Sequence, residues 1–312
     1  MTAQVWIDQT RDMLLSGYVE DLDLVTTPPS PATTGTTLVI QGISSSIVKG
    51  VVIEVNSELM YVISVTSTTV SVMRGYGGST PGTHTAGDVV RVSPKFPAHR
   101  IIQSINDDLA DLSAPSQGLF QMKTTSFTYN ASVDGYDLSG LTSAEIDSIY
   151  SVTYADAGSA ASEPEVSSWR LRRNRDTSSF SSGLALILYS GVWPGQTVTV
   201  SYKAPFTSIT NAATARSATG LPATAYDLPP LGAAMALMTT TPIRREFLDA
   251  QGTSRMADEV PPGAISASFR DLMGRRRARV EAESGRLVSQ YPQVWTRSSG
   301  MRPSNQWSGY SS

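Results

Sequence analysis

Residues 51–93, VVIEVNSELMYVISVTSTTVSVMRGYGGSTPGTHTAGDVVRVS, constrain this chain more than any other stretch. Apolar and polar side chains alternate along most of it, and a period of two is the signature of a strand with one face buried. Asn56-Ser57 and Ser67-Thr68 fall between alternating runs, where two-residue hairpin loops belong. Gly75, Gly77 and Gly78 supply a bend open to positive φ. Together with TTLVIQG (36–42), these runs predict four or five strands closing into a small barrel or curled sheet over 36–95. Roughly 60 residues is about the least that holds a β core without staples.

The flanks are helical. Residues 3–16 read as a helix with Val5, Trp6, Gln9, Thr10 and Met13 on one face, and Gly17 placed to end it. TTPPSPATTG (26–35) reads as a linker, since adjacent prolines sustain neither ladder. After the barrel, Pro97 suits a first helical turn, and Ile101, Ile102, Ile105, Leu109 and Leu112 recur every three or four residues until Pro115. Segments 1–31 and 96–115 thus form a helical core interrupted by the β insertion.

Residues 119–206 return to short β-rich runs parted by Gly, Asp, Asn and Ser, the pattern of an antiparallel sandwich, with GQTVTVSYKAPF as a final edge strand. Residues 226–291 are helical again, with a break at Pro242. The last helix there has an apolar stripe of Phe269, Leu272, Met273, Val280, Leu287, Val288 and Tyr291. Residues 292–312 have no periodicity and read as an extended arm. The fold class is α+β, and the organisation is helix, small β insertion, helix, sandwich, helices and arm.

Composition narrows the chemistry. The absence of cysteine excludes disulfides, thiolate metal sites and thiol nucleophiles. The two histidines, His84 and His99, read as solvated residues, and neither lies near a nucleophile-elbow pattern. No run of eighteen apolar residues predicts a membrane span. The N-terminus lacks a basic n-region ahead of an apolar block, so the expectation is synthesis and folding in a cytoplasm.

Asp107, Asp108 and Asp111 read as a solvated helix face, and Asp134 and Asp137 as turn carboxylates without the ligand spacing of a calcium loop. RGYGGSTPG has no following Lys-Ser/Thr and reads as a hairpin loop, not a phosphate cradle. No catalytic set, metal or cofactor is expected, and the chain does not read as an enzyme.

Charge is uneven along the chain. Residues 1–25 hold five acids against Arg11, while residues 270–302 hold eight arginines against Asp271, Glu281 and Glu283. Such opposite ends suit contact between copies. The run RLRRNR (170–175) and the arginines of 275–279 lack an aromatic ladder, so subunit pairing suits them better than specific nucleic-acid recognition. Arg275, Arg276, Arg279, Arg297 and Arg302, with Tyr291, Trp295, Met301, Trp307 and Tyr310, are the residue types that anchor protein interfaces. They are the expected contacts to a partner or a neighbouring subunit.

The small β module resembles one recurrent in phage virion proteins, on Glu58, Met60, Val72, Arg74, Gly75, Gly78, Ser79, His84, Gly87, Asp88 and Val90. The frame around it resembles the head-to-tail adaptors, or connectors, of long-tailed siphovirus-like phages, especially the enlarged forms of actinobacterial phages. That resemblance implies a homo-oligomeric ring, dodecameric in the family, at the head-tail junction of the virion. It would bind the portal protein through the C-terminal arm and a tail terminator, stopper or other neck protein on its far side. DNA would pass through its channel in passive contact, and no membrane would be involved. A tail, baseplate or receptor-binding virion protein is the alternative, which would trimerise and bind glycans through exposed aromatics.

Overall fold

The structure is a computed structural model and describes residues 1–15, 20–42, 45–133, 135–138, 146–155, 163–189, 192–240 and 264–292. Among these, helices and strands segregate around three hydrophobic cores, giving an α+β fold.

The first core lies inside a closed antiparallel barrel of β1 (Leu22–Thr27), β2 (Thr37–Ile40), β3 (Val52–Val55), β4 (Glu58–Thr66), β5 (Thr69–Met73) and β6 (Val89–Val92), in the order β1-β2-β5-β4-β3-β6. Alternation sends Ile53, Val55, Met60, Val62, Val70, Val72, Val90 and Val92 inward. Val55 pairs with Glu58 and Thr66 with Thr69, so both predicted two-residue loops are present. Asn56 and Ser67 adopt φ of 57° and 54° there, the left-handed geometry such turns demand. The barrel also recruits Leu22–Thr27, counted above with the helical core and partly with the linker. β1 pairs with both β2 and β6 and removes the open edge. It buries only Val25 and leaves Leu22 and Leu24 exposed, so its alternation is too faint to read from sequence.

The second core is helical. α1 (Gln4–Leu14), α2 (Ala98–Leu112), α3 (Leu228–Thr240) and α4 (Ala264–Gln290) share one apolar cluster with Leu119, Phe120, Phe206, Ile209 and Leu221. The expected break at Pro242 lies outside the described residues. All five predicted apolar positions of α2 are buried. On α1 the buried face is Trp6, Ile7, Thr10 and Arg11, whereas Met13 and Gln9 face outward. Trp6 is fully buried; its Nε1 donates to the Tyr226 carbonyl at 2.7 Å, and its ring meets Tyr226 edge-on. On α4, Val280 and Leu287 are buried, but Met273 and Val288 of the predicted stripe are 49% and 61% exposed. The residue completing that buried face is Glu283, which is charged and therefore invisible to an apolar count.

The third core lies between two three-stranded antiparallel sheets. One is β7 (Gln121–Thr128), β12 (Thr197–Ala204) and β9 (Ser148–Tyr154); the other is β10 (Trp169–Arg172), β11 (Ala185–Leu188) and β8 (Tyr136–Asp137). Leu184 and Leu186 face Val152, Val198, Val200 and Tyr202 across it. β12 is not the edge strand expected from its position at the end of the unit. It is the centre of its sheet, paired with β7 and β9 along nearly its whole length, and its inward residues Val198, Val200, Tyr202 and Ala204 are all buried. Chain order does not set strand order when a late strand has the strongest alternation.

Candidate interaction surface

The residues behind the family resemblance converge on one buried carboxylate. Arg74 grips Glu58 with two bonds of 2.6 Å, His84 Nε2 lies 2.8 Å from Glu58 Oε2, and the Gly75 and Gly82 amides donate at 3.1 and 2.9 Å. Arg74 spends its remaining N–H groups on the carbonyls of Ala32, Gly35 and Gly82. Ser79 Oγ accepts from the Leu59 amide, and Asp88 accepts from Thr85 and Asn56. Burial alone would raise the Glu58 carboxyl, but the hydrogen bonds from Arg74, His84 and Gly82 outweigh it and hold the carboxyl at about 2. The motif is therefore an internal clasp that ties the 28–36 and 74–88 loops to the barrel wall. His84, read above as solvated, is 5% exposed and belongs to that clasp.

A second buried carboxylate joins barrel to helices. Glu54 on β3 pairs with Arg11 of α1 and accepts the first amide of α2, Ala98 N, at 2.9 Å. Arg11 Nε also donates to the Phe96 carbonyl at 3.3 Å. Burial pushes the Glu54 carboxyl up, and Arg11 and the Ala98 amide pull against it. This explains why a charged residue occupies the inner face of α1.

The arginines of α4 divide into two sets. Arg276 is spent within the chain: it bonds Asp108 Oδ1 at 2.6 and 3.0 Å and Asp111 at 2.7 Å, linking α4 to α2. Arg279 binds Asp227 at 2.7 and 3.0 Å and the Thr224 carbonyl at 2.6 Å. Arg286 pairs with the buried Glu283, which also accepts from Thr224. Arg275 faces outward, joined to Asp271 in an exposed pair 2.9 Å long, and Arg277 is exposed as well. Of the three α4 arginines expected at a partner, Arg276 is mostly buried, Arg279 is bound within the chain yet 38% exposed, and Arg275 lies on the open surface.

Asp108 departs most from its expected solvated face. It is 7% exposed, and Oδ2 has no hydrogen-bond partner among the described residues. Burial pushes its carboxyl up to about 7, Arg276 offsets only part of that rise, and the neighbouring Asp111 adds to it. Asp108 fits there because α3 has glycine opposite: a Cβ on Gly232 would overlap the carboxylate.

Tyr291 is half-buried, its ring 6.0 Å from Phe120 and 5.8 Å from Tyr150, and Tyr150 donates to the Pro292 carbonyl at 3.2 Å. The chain thus leaves α4 from a fixed point at the base of the sandwich. Trp295, Arg297, Met301, Arg302, Trp307 and Tyr310 lie outside the described residues, as does Asp134. Burial would raise the Asp137 carboxyl, but the hydrogen bonds it accepts from Ser181 and Ser182 together outweigh it and hold it low. In the 170–175 run, Arg173 donates to the Ile146 and Asp147 carbonyls, while Arg170 and Arg172 are exposed.

Among the described residues, no cluster of His, Asp and Glu fits a metal ion, and no helix is long and apolar enough to cross a membrane. Three surfaces therefore stand out for contact with other molecules. They are the outward side of α4, the groove between α1 and α3, and the rim of the sandwich, where Trp193 and Tyr189 are 75% and 56% exposed. No protein-family model matches this chain, and no curated protein matches it at significance.

Proposed function

We propose that this chain is a structural subunit of a phage virion, a head-to-tail adaptor that forms a ring between portal and tail and lets DNA pass through its channel. The observation behind the reading is α4. It is a 27-residue helix, about 40 Å long, clamped to the rest of the chain by Arg276, Arg279 and Glu283. Its outward side nevertheless keeps Met273, Arg275, Arg277 and Val288 in solvent. A rigid helix with an unspent mixed surface suits a subunit whose neighbours complete it. The clasped barrel and the Glu54–Arg11 joint supply stiffness, and the fixed exit at Tyr291 gives the following segment an anchored start for gripping the portal.

The exposed Trp193 and Tyr189 at the sandwich rim favour a second reading, a receptor-binding or baseplate protein. One experiment separates the two. The mass of the full-length chain is measured alone and with purified portal ring, beside a chain ending at Tyr291. Portal binding that truncation abolishes supports the adaptor; a stable trimer indifferent to the portal and binding glycans supports the alternative.

A further inference from the structure

Among the described residues, two glycines on α4 are approached by no neighbour. Glycine in a helix interior is unfavourable relative to alanine, so it needs a reason. Gly232 on α3 has one, the Asp108 carboxylate. Gly274 and Gly285 show none: among the described residues, a Cβ at either would meet nothing within 4 Å. Eleven residues is close to three turns, so both lie on the same side of α4, with Arg277, Glu281 and the exposed Val288 between and beyond them. Met273 and Arg277 stand one turn apart beside Gly274. This side offers close backbone approach with a cation and a thioether at its edge.

Elsewhere on the helical body is a second surface of different character. A groove of about 400 Å³ runs between α1 and the start of α3, lined by Gln9, Asp12, Met13, Asp227, Pro230 and Leu231. Its floor is apolar, Asp12 with Asp8 along α1 forms an acidic edge, and Asp227 on the rim is already held by Arg279 of α4. α3 packs against both α1 and α4.

We propose that copies of this chain associate head to tail, α4 of one copy crossing the α1–α3 groove of the next at Gly274. Met273 enters the groove beside Met13, and Arg277 meets Asp12. Because the two surfaces differ, the contact is heterologous, and such a contact closes into a ring when its rotation allows. The proposal rests on the ring-forming reading above and specifies which surfaces touch.

Because the chain has no cysteine, it can be cross-linked without background. Met13→Cys and Met273→Cys are both surface changes, 40% and 49% exposed in the native chain. Oxidised without portal, the full-length double variant is expected to give a disulfide ladder of dimer, trimer and higher species, and each single variant to stay monomeric. A double variant that stays monomeric overturns the contact, and so does a Met273→Cys variant that dimerises alone, since that marks a two-fold interface. Independently, Asp12→Arg or Arg277→Asp should each lower assembly at least tenfold, and the two together should restore it; additive loss overturns the pairing. A ladder without portal binding removes the portal reading and leaves the interface standing. Portal binding without a ladder does the reverse.

Discussion

The barrel and the helical body each bury a carboxylate, and they treat it in opposite ways. Glu58 receives two bonds from Arg74, one contact from His84 and two backbone amides, so every acceptor site is used and its carboxyl sits at about 2. Asp108 faces one arginine with one oxygen, leaves the other without a partner, and rises to about 7. Both are nearly shut off from solvent, 1% and 7% exposed, but Asp108 lies deeper among protein atoms. Depth and the number of donors decide together, because a buried charge is tolerated only when hydrogen bonds replace the water it has lost. The barrel uses its carboxylate as a rivet, whereas the helical body carries one under strain at the junction of α2, α3 and α4.

The sharpest way to break the comparison is Arg74→Ala. It strands Glu58 in the barrel and is expected to cost about 3–5 kcal/mol. Amide hydrogen exchange should show opening in β3 to β6 while α2 stays protected; uniform loss of protection would refute a clasp local to the barrel.

The two carboxylates also predict opposite pH dependence. The folded-state value of Asp108 is raised from 3.8, so its stabilising contribution is full below about pH 4 and lost as pH climbs towards 7. The folded-state value of Glu58 is lowered from 4.5, so its contribution is full above about pH 4.5 and lost as pH falls towards 2. Asp108→Asn should flatten the first limb, on the order of 2–4 kcal/mol between pH 4 and 8, and leave the second unchanged. Urea midpoints across that range test it, and an unaltered neutral limb would show that Asp108 is not under strain.

Gly232→Ala pushes a methyl group into the Asp108 carboxylate and should cost about 1–3 kcal/mol. In an Asp108→Ala background the same change should cost much less, and a double-mutant cycle without coupling would break the link between the two positions. The smallest effect is at a turn. Ser67→Gly relieves a positive φ of 54° and should stabilise the barrel by about 0.5 kcal/mol, read as a shift of its thermal midpoint. A loss of stability there would mean that the serine side chain has a role the hairpin geometry does not explain.

Much of this architecture was legible in the chain. Both hairpin loops of the barrel, the whole buried face of α2, and the six strand segments of 119–206 follow from period, β-branching and turn residues. These signals are local, since each residue is judged against neighbours within about four positions. What escaped is non-local or charged. β1 is read as a strand only once β2 and β6 lie on either side of it. His84 looks solvated until Glu58, twenty-six positions earlier, is brought beside it. The inner face of α1 ends in Arg11, which an apolar count rejects, because its partner Glu54 lies forty-three residues on. Of the expected interface residues, Arg276 turns inward for the same reason, Arg279 binds Asp227 at the surface, Tyr291 packs against Phe120 and Tyr150, and Arg275 is left on the open side of α4.

By itself, then, the sequence determined that this protein alternates helical and β units and where its tight turns fall, because backbone periodicity and left-handed turn positions are properties of short stretches. Only the tertiary structure decided which charges are spent inside the molecule and which remain on its surface. Arg276 and Asp108 are 168 positions apart, and no local pattern records that α4 comes to rest on α2. Packing chose that pair and left Arg275 and Arg277 facing outward.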